Sequence, residues 1–212
     1  MFITLEGPEG SGKTSQLTFL ANEIKAAGFD LLLTHEPGGT PVGDQIRDVI
    51  MDLKNKSMRS STELLLFLAS RAQLVGEVIR PALEAGQVVV CDRYADSTLA
   101  YQGYGHGHDL EKLRQVVEFA TGGLQPDLTV FFDLSVEQGL ERRNKDGGWN
   151  RLDDYDLEFH RRVYQGYQAL MDAEPQRWQR VDASLSPEEV AEQVKHVVLN
   201  FLKQHKRKIA ES

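Results

Sequence analysis

Cysteine is almost absent from this chain, and so are long apolar runs and any surplus of basic residues. Of the 212 residues only Cys91 is a cysteine, which excludes an intrachain disulfide and is typical of a reducing compartment. With 32 acidic and 24 basic residues, the net charge of −8 argues against a protein that coats nucleic acids. The sequence contains no secretory signal and no apolar stretch as long as a membrane span. We therefore expect a cytoplasmic protein with no nucleic-acid or membrane partner.

What the chain does contain is an alternation of strand-like and helix-like patterns. Its length and its 41% hydrophobic content predict a single domain over residues 1–212. The predicted strands are Phe2–Glu6, Leu31–His35, Val88–Asp92, Leu128–Asp133 and Trp178–Asp182. The predicted helices are Lys13–Ala27, Val42–Leu53, Thr62–Ala85, Leu110–Thr121, Val136–Lys145, Leu157–Ala173 and Pro187–Lys203. Such an alternation predicts an α/β fold with a parallel sheet covered by helices on both faces.

A complete phosphate-binding P-loop follows the first predicted strand. It reads Gly7-Pro8-Glu9-Gly10-Ser11-Gly12-Lys13-Thr14 and fills every position of the pattern glycine, four residues, Gly-Lys-Thr. The glycines allow backbone N–H groups to converge on phosphate oxygens, and the following helix points its positive end at them. Lys13 is expected to reach the β- and γ-phosphates, and Thr14 to bind Mg²⁺. The motif predicts that the chain binds a nucleoside triphosphate.

Polar or glycine-rich segments also mark the ends of the second and third strands. Glu36-Pro37-Gly38-Gly39-Thr40 follows the second strand, and Asp92-Arg93-Tyr94 closes the third. Because ligands of open parallel sheets bind at the C-terminal ends of the strands, we expect these segments to share one rim with the P-loop. Asp92 is predicted to supply a carboxylate for Mg²⁺ or its water, and Arg93 to hold a second phosphate. The hydroxyl and amide groups of Ser97–Gln102 suit hydrogen bonding to a sugar or base.

Two further segments are compatible with ligand binding, although each fits an ordinary structural role as well. Phe67 and Arg71 lie one helical turn apart, so a ring that stacks on a base and a guanidinium that donates to its edge would share one face. The alternative is a core phenylalanine and a solvated arginine. The segment Arg142–Arg151 carries four cations around Gly147-Gly148. That composition is typical of a lid over transferring phosphates, and an exposed surface loop is the alternative.

Together these motifs resemble, in order and spacing, those of bacterial thymidylate kinases over roughly residues 2–175. The matching residues are the P-loop, Glu36–Thr40 with Arg47, Phe67 with Arg71, Asp92-Arg93-Tyr94 with Ser97 and Ala100-Tyr101-Gln102, and the arginine-containing lid. The resemblance implies a P-loop NTPase three-layer sandwich with a five-stranded parallel sheet flanked by helices. It further implies Mg²⁺-dependent transfer of the ATP γ-phosphate to dTMP, giving ADP and dTDP for dTTP synthesis. Members are usually homodimers, commonly formed through helices such as Thr62–Ala85.

The resemblance also implies which residues bind dTMP. In that family pattern Arg47 and Arg93 hold the phosphate, Phe67 stacks on thymine, Arg71 donates to O4 and Thr98 approaches N3. The complete implied set is Glu9, Pro37, Arg47, Phe67, Arg71, Arg93, Ser97, Thr98, Tyr101 and Gln102.

The sugar and the transferred phosphoryl group have implied partners too. Tyr101 would lie under the deoxyribose, where a 2′-hydroxyl would crowd it, and Glu9 would lie near the 3′-hydroxyl and the metal region. The implied catalytic residues are Lys13, Arg142, Arg151, Arg93 and Glu9, and the metal ligands are Thr14 and Asp92. The lid, about residues 142–151, matches members whose P-loop contains no arginine, and this P-loop also has none.

At two positions the chain departs from the family pattern. His35 stands where many members have an arginine before Glu-Pro-Gly-Gly-Thr, and Asn150 stands where the lid often has an aspartate before its arginine. We expect the change at residue 150 to alter how Arg151 is oriented when the lid is open.

Two alternative functions remain open at this stage. One is a kinase for another nucleotide, because specificity depends on a few contacts from Arg71, Thr98 and Tyr101. The other is a nucleotide-dependent switch, which would need no second set of phosphate-binding arginines. Asn144-Lys145-Asp146 does not complete the guanine-binding pattern Asn-Lys-x-Asp, since Gly147 occupies the last position.

Overall fold

The five predicted strands pair into one parallel sheet in the computed structural model of the chain, which describes residues 1–145, 147 and 149–211, with side chains to Lys206. The strands are β1 (Phe2–Glu6), β2 (Leu31–His35), β3 (Val88–Asp92), β4 (Leu128–Asp133) and β5 (Trp178–Asp182). Their order across the sheet is β2-β3-β1-β4-β5, and each neighbouring pair is parallel. The predicted strands and the predicted α/β fold are confirmed.

Helices pack on both faces of the sheet. They are α1 (Lys13–Ala26), α2 (Pro41–Met51), α3 (Ser60–Leu74), α4 (Arg80–Glu84), α5 (Ala95–Thr98), α6 (Leu110–Thr121), α7 (Val136–Lys145), α8 (Leu157–Ala173) and α9 (Pro187–Glu211). On one face, Ile3 of β1 clusters with Leu20 of α1 and Val194 of α9. On the other, Phe2 clusters with Leu74 of α3. Alternate residues of β1 thus face opposite layers, as burial on both sides requires.

The predicted helix Thr62–Ala85 contains a π-helical segment. After α3 the chain forms a π-helical segment, Val75–Ile79, before α4 begins. Pro81 lies just after this segment, and because proline lacks an N–H, the regular α-helical bonding pattern cannot pass through it. The predicted helix is therefore confirmed in extent, since the chain is helical from Ser60 to Glu84, and the π-helical segment within it was not predicted.

A second π-helical segment, Leu99–Gly105, continues α5 and was not predicted. Its glycines disfavour a helix in isolation, so the sequence pattern gives no helical signal there. The segment packs closely on α8: a Cβ at Gly105 would lie 2.7 Å from Cε2 of Phe159, and one at Gly166 would lie 2.7 Å from Cδ2 of Tyr104. Close helix packing is therefore the reason for these glycines, and it places Tyr101 and Gln102 beside the sheet.

In the part of the chain that the structure describes, none of the helices combines the length and the apolar composition that a membrane span requires.

The C-terminal ends of β1, β2 and β3 form one rim, as predicted. Register pairs Leu5 of β1 with Asp92 of β3, and Asp92 with His35 of β2. The P-loop, the segment after β2 and the segment after β3 therefore begin at the same level of the sheet.

Candidate active site

One cavity of about 940 Å³ runs along this rim. Most of the residues predicted from the sequence line it, from the P-loop at one end to the aromatic and polar groups of α3 and α5 at the other. The predicted residues on its wall are Glu9, Gly10, Ser11, Gly12, Lys13, Thr14, Pro37, Arg47, Phe67, Asp92, Arg93, Ser97, Thr98, Tyr101, Gln102 and Arg142. Arg71 and Arg151 lie in buried polar clusters next to it.

The P-loop curls around the ammonium group of Lys13. Gly10 and Gly12 adopt φ angles of 67° and 84°, which only glycine takes readily. The Lys13 Nζ donates to the Pro8 carbonyl at 2.9 Å and to the Ser11 hydroxyl at 2.9 Å. Burial, together with the nearby Arg93 guanidinium, lowers the pKa of Lys13 to about 8. The loop thus holds the Lys13 ammonium group at its centre, bonded to oxygen atoms of the loop itself. The oxygen atoms of a bound anion can take their place as its hydrogen-bond partners.

The hydroxyl of Thr14 donates to Oδ2 of Asp92 at 2.6 Å. This bond joins the start of α1 to the end of β3. A hydroxyl and a carboxylate held together beside a phosphate-binding loop are oxygen donors of the kind that Mg²⁺ prefers. The two predicted metal ligands are therefore neighbours.

Helix α7, which leads into the predicted lid, packs directly on the P-loop through two glycines. A Cβ added at Gly10 would overlap the Gly139 carbonyl, and a Cβ added at Gly139 would overlap the Glu9 carbonyl. Sequence reasoning missed Gly139, although a glycine inside a helical pattern signals either a weak helix or a close approach. This contact fixes the position of the N-terminal part of α7 relative to the P-loop.

Arg93 lies between the P-loop and the other end of the cavity. It is the one non-glycine residue of the described chain with a positive φ, 67°, a conformation that is strained for an arginine. Its Nη1 donates to the Gly7 carbonyl at 3.0 Å and its Nη2 to Oε1 of Glu9 at 3.0 Å. The Tyr101 hydroxyl donates to the same Glu9 oxygen at 2.7 Å.

Glu9 is ionised in this arrangement. Burial by itself would raise its pKa, but the charges of Arg93 and Lys13 and the hydrogen bond from Tyr101 outweigh burial and lower the pKa to about 2. The carboxylate therefore neutralises the cations of the cavity in the absence of anionic ligands.

Beneath Arg93 lies a carboxylate that sequence reasoning missed. Glu6, the last residue of β1, is fully buried and bonds to Tyr94, Ser97 and Tyr167. An acidic residue that ends an otherwise apolar strand is the signal that could have identified it.

At the far end of the cavity Arg71 is held by three groups. Its Nε donates to Oε2 of Glu36 at 2.7 Å, its Nη1 to the Thr98 hydroxyl at 2.8 Å and its Nη2 to the Tyr94 carbonyl at 3.0 Å. Phe67, one turn before Arg71 on α3, lines the cavity. The alternative to ligand binding, a core phenylalanine with a solvated arginine, is therefore excluded.

Arg47, from α2, reaches over the same end. Its Nη1 donates to the Pro37 carbonyl at 2.8 Å. The helix that carries Arg47 begins directly after Thr40, whose hydroxyl accepts from the Gly43 N–H at 2.9 Å and caps it. The Glu36–Thr40 segment therefore ends β2, forms part of the cavity wall and starts the helix that supplies Arg47.

Arg151 is buried against Glu63 of α3. Its Nη2 donates to Oε2 of Glu63 at 2.6 Å, and its Nε donates to the Ile50 carbonyl at 2.6 Å. The Tyr155 hydroxyl and the Gln102 amide also donate to the Glu63 carboxylate. Glu63 has no sequence signal, because these partners are distant along the chain. In this structure the cluster holds Arg151 at the end of α2 and not at the P-loop.

Arg142 and Arg143 of α7 both line the cavity. Arg142 donates from Nη1 to the Ala183 carbonyl at 2.8 Å, at the end where Leu185, Pro187 and Val190 form an apolar wall. The predicted lid, residues 142–151, includes Asp146 and Gly148, which lie outside the described residues.

Both positions that depart from the family pattern, His35 and Asn150, line the cavity. The Asn150 N–H donates to Oδ2 of Asp153 at 2.8 Å, and Nε of Arg143 donates to the same oxygen at 3.1 Å. Asp153, missed by sequence reasoning, is thus a buried acid that bonds both to Asn150 and to Arg143 of α7.

Comparison with known proteins agrees with this geometry. A family model described as thymidylate kinase matches residues 5–194. A thymidylate kinase of Roseiflexus sp. (strain RS-1) is 50% identical, with 95% of each chain covered, and one of Synechococcus sp. (strain JA-2-3B'a(2-13)) is 54% identical, covering 93% of this chain and 94% of that one. The crystal structure of thymidylate kinase from Ehrlichia chaffeensis superposes with a TM-score of 0.77 at 32% identity, covering 94% of this chain and 98% of that one. The chain therefore belongs to the thymidylate kinase family.

Proposed function

We propose that the protein transfers the γ-phosphate of ATP to dTMP, giving ADP and dTDP for dTTP synthesis. The observation that carries the proposal is the position of Arg93. Its guanidinium donates to the Gly7 carbonyl of the P-loop at 3.0 Å while lining the same cavity as Phe67. A phosphate held by Arg93 would therefore lie next to a phosphate held by the P-loop, as phosphoryl transfer requires.

The acceptor occupies the end of the cavity between α2, α3 and α5. We assign its phosphate to Arg93 and Arg47 and its base to Phe67, Arg71 and Thr98. Arg71 already donates to Glu36, Thr98 and Tyr94, so its guanidinium plane is fixed before the ligand binds. Pro37, Ser97 and Gln102 line the remaining wall.

The sugar of the acceptor lies at Tyr101 and Glu9. The ring of Tyr101 is held by the hydrogen bond from its hydroxyl to Glu9 and lies 5.3 Å from the Arg93 guanidinium carbon. A rigid ring at this place leaves less room for a 2′-hydroxyl, which favours a deoxyribonucleotide.

The donor occupies the other end. Its phosphates lie in the P-loop, and its base lies near Arg142 and the apolar wall that includes Leu185. The phosphate oxygen of dTMP is itself a competent nucleophile near neutral pH, so no general base is assigned. Lys13 stabilises the negative charge that develops on the moving phosphoryl group. Arg142 and Arg151 bond to the Ala183 carbonyl and to Glu63 here, and they join Lys13 only if they leave these partners.

Thr14 and Asp92 fit a magnesium ion. Their oxygens are 2.6 Å apart at the P-loop. Among the described residues no group of three or more His, Cys, Asp or Glu side chains is placed to hold a metal, so the ion would depend on these two residues and on ATP, as is usual for Mg²⁺ in kinases. When bound, Mg²⁺ neutralises phosphate charge.

We also propose that the protein is a homodimer that pairs through α3 and α6. Large apolar side chains are exposed on this surface, namely Leu65 (63% exposed), Val116 (39%) and Phe119 (90%). Helices α3 and α6 pack beside each other, so these side chains form one apolar patch that a second copy would cover.

The test of the proposed function is release of ADP from ATP with and without dTMP. A kinase releases ADP only when dTMP is present and forms dTDP in equal amount. A nucleotide-dependent switch would hydrolyse ATP at the same rate in both cases, and that result would refute the proposal.

A further inference from the structure

Glu6 is a buried carboxylate that the proposed chemistry does not use. It is fully buried at the end of β1, directly before the P-loop. Its Oε1 accepts from the Tyr94 N–H at 2.8 Å and the Ser97 N–H at 3.3 Å. Its Oε2 accepts from the Ser97 hydroxyl at 2.6 Å and the Tyr167 hydroxyl at 2.9 Å. Both oxygens therefore face N–H and O–H donors.

The same two hydroxyl oxygens face Arg93. Nη1 of Arg93 donates to the Ser97 hydroxyl oxygen at 3.3 Å and to the Tyr167 hydroxyl oxygen at 3.2 Å. A hydroxyl has one hydrogen to donate, and its lone pairs accept. The two hydroxyl oxygens also lie 2.9 Å from each other, where either can donate to the other. Because the Glu6 carboxylate takes the Ser97 hydrogen at 2.6 Å, and Tyr167 donates either to Glu6 or to Ser97, both hydroxyls keep lone pairs that accept from the arginine.

We propose that Glu6 is a positioning residue for the acceptor phosphate: by fixing the direction of the Ser97 and Tyr167 hydroxyls, it holds Arg93 in the orientation that binds dTMP. The inference rests on the proposed function, in which Arg93 binds the acceptor phosphate. The strained backbone of Arg93, at φ 67°, is consistent with this role, since such a conformation persists only where surrounding contacts determine it.

Charge placement agrees with this role. Glu9 contacts Arg93 from the cavity side, where an incoming phosphate can replace it, whereas Glu6 acts from below and cannot be displaced by a ligand in the cavity. The environment of Glu6 also distinguishes it from Glu9. Burial and the nearby Asp96 raise its pKa to about 7, although Arg93, Ser97 and Tyr94 act in the opposite direction. The orienting role belongs to the ionised form, which only accepts hydrogen bonds, so binding is measured at pH 8.

Replacement by glutamine tests the hydrogen-bond direction without changing the shape of the side chain. In one orientation the amide NH₂ of a Glu6→Gln variant points at Ser97 and Tyr167 and donates to them. Their hydrogens then turn toward the N–H groups of Arg93. In the other orientation the NH₂ points at the Tyr94 and Ser97 backbone N–H groups. Either orientation sets donor against donor. In the first, Arg93 loses the two hydroxyl oxygens as acceptors; in the second, the opposed N–H groups belong to the backbone of Tyr94 and Ser97, the segment that directly follows Arg93.

The experiment measures the Kd of dTMP and of ATP by calorimetry for the wild type, Glu6→Gln and Tyr167→Phe, with the thermal transition of each recorded. We expect Glu6→Gln to weaken dTMP binding about tenfold and to leave ATP binding within about twofold of the wild type. Tyr167→Phe removes one of the two hydroxyls and is expected to weaken dTMP binding by a smaller factor. Asp96→Asn is the matched control, because it removes a neighbouring buried carboxylate that bonds to Arg177 and not to Arg93.

The outcomes separate the inference from the proposed function. A wild type that does not bind dTMP refutes the function. A folded Glu6→Gln variant that binds dTMP as the wild type does, or that loses dTMP and ATP binding equally, overturns the positioning role. If Glu6→Gln does not fold, Tyr167→Phe decides, and unchanged dTMP affinity in that variant overturns the inference.

Discussion

Nη2 of Arg151 lies 2.6 Å from Oε2 of Glu63, and both side chains are buried. This ion pair joins the segment after α7 to the beginning of α3. Removal of one partner of a buried pair leaves the other charge uncompensated, which costs about 3–5 kcal/mol. Loss of either partner is therefore expected to destabilise the nucleotide-free protein, whatever Arg151 does during transfer.

Arg151→Ala is expected to lower both stability and turnover. The free energy of unfolding should fall by about 3 kcal/mol because Glu63 loses its partner. If Arg151 also reaches the phosphates, kcat falls far more than the KM for ATP rises. Urea unfolding and steady-state kinetics measure the two effects. Arg142→Ala is the control for the stability measurement alone: Arg142 bonds to the Ala183 and Ser184 carbonyl groups, so its loss should change the free energy of unfolding much less than the loss of Arg151 does. An unchanged kcat in Arg151→Ala would contradict a catalytic role.

Phe67→Ala is expected to weaken dTMP binding about tenfold or more, because the loss of ring stacking on a base costs about 1–3 kcal/mol. ATP binding should be unaffected, since Phe67 lies at the acceptor end. Calorimetry with each nucleotide measures both. Phe19→Ala, the same truncation on α1, is the matched control and should leave dTMP binding unchanged. Equal weakening of both ligands in Phe67→Ala would show that the ring is a structural residue.

Gly139→Ala is expected to raise the KM for ATP, because the added methyl group overlaps the Glu9 carbonyl and forces α7 away from the P-loop. Overpacking of this kind costs about 1–3 kcal/mol, which the thermal transition would also show. Gly76→Ala is the matched control: its Cβ would meet nothing within 4 Å, so the protein should be equally or slightly more stable. A Gly139→Ala variant with wild-type ATP kinetics would contradict a role for this contact.

The Glu63 cluster predicts a dependence of stability on pH. Burial would raise the pKa of Glu63, but hydrogen bonds from His106, Tyr155 and Gln102 and the charge of Arg151 lower it to about 2. Because the folded-state pKa is below the unfolded value of 4.5, this stabilisation is present above about pH 4.5 and is lost as the pH falls toward 2.

Urea unfolding between pH 6 and pH 3 checks this prediction. The slope of unfolding free energy against pH should be smaller in Glu63→Gln than in the wild type, by up to about 1.4 kcal/mol per pH unit. Equal slopes below about pH 4.5 would show that Glu63 does not titrate differently in the folded and unfolded states.

Phe119→Glu is expected to convert a dimer to monomers, since it places a charge at the most exposed side chain of the apolar patch on α3 and α6. Sedimentation analysis at several protein concentrations measures the effect. Val49→Glu, on α2 and outside the patch, is the control and should remain dimeric. A wild type that sediments as a monomer at all concentrations would contradict the proposed pairing.

The sequence predicted the sheet and most of the cavity because local signals were strong. The strands have the predicted bounds because apolar runs such as Val88–Val90 are buried on both faces. The P-loop and the segments after β2 and β3 lie on one rim because parallel strands end at the same edge.

What the sequence did not predict depends on contacts between distant residues. Glu63 is surrounded by Gln102, His106, Arg151 and Tyr155, a set that no local pattern brings together. The helical segment Leu99–Gly105 is formed despite its glycines because it packs on α8. Tertiary contacts override local propensity at both places.

The central claim is that one cavity binds ATP at the P-loop and a thymine deoxynucleotide at Phe67 and Arg93. The most direct test is kcat/KM for dTMP, dUMP, dCMP and AMP at saturating ATP, with ADP and the diphosphate product measured together. The account predicts that dTMP has the highest kcat/KM and that one dTDP forms per ADP. A higher kcat/KM for dCMP or AMP, or ADP release that does not depend on any monophosphate, would contradict it.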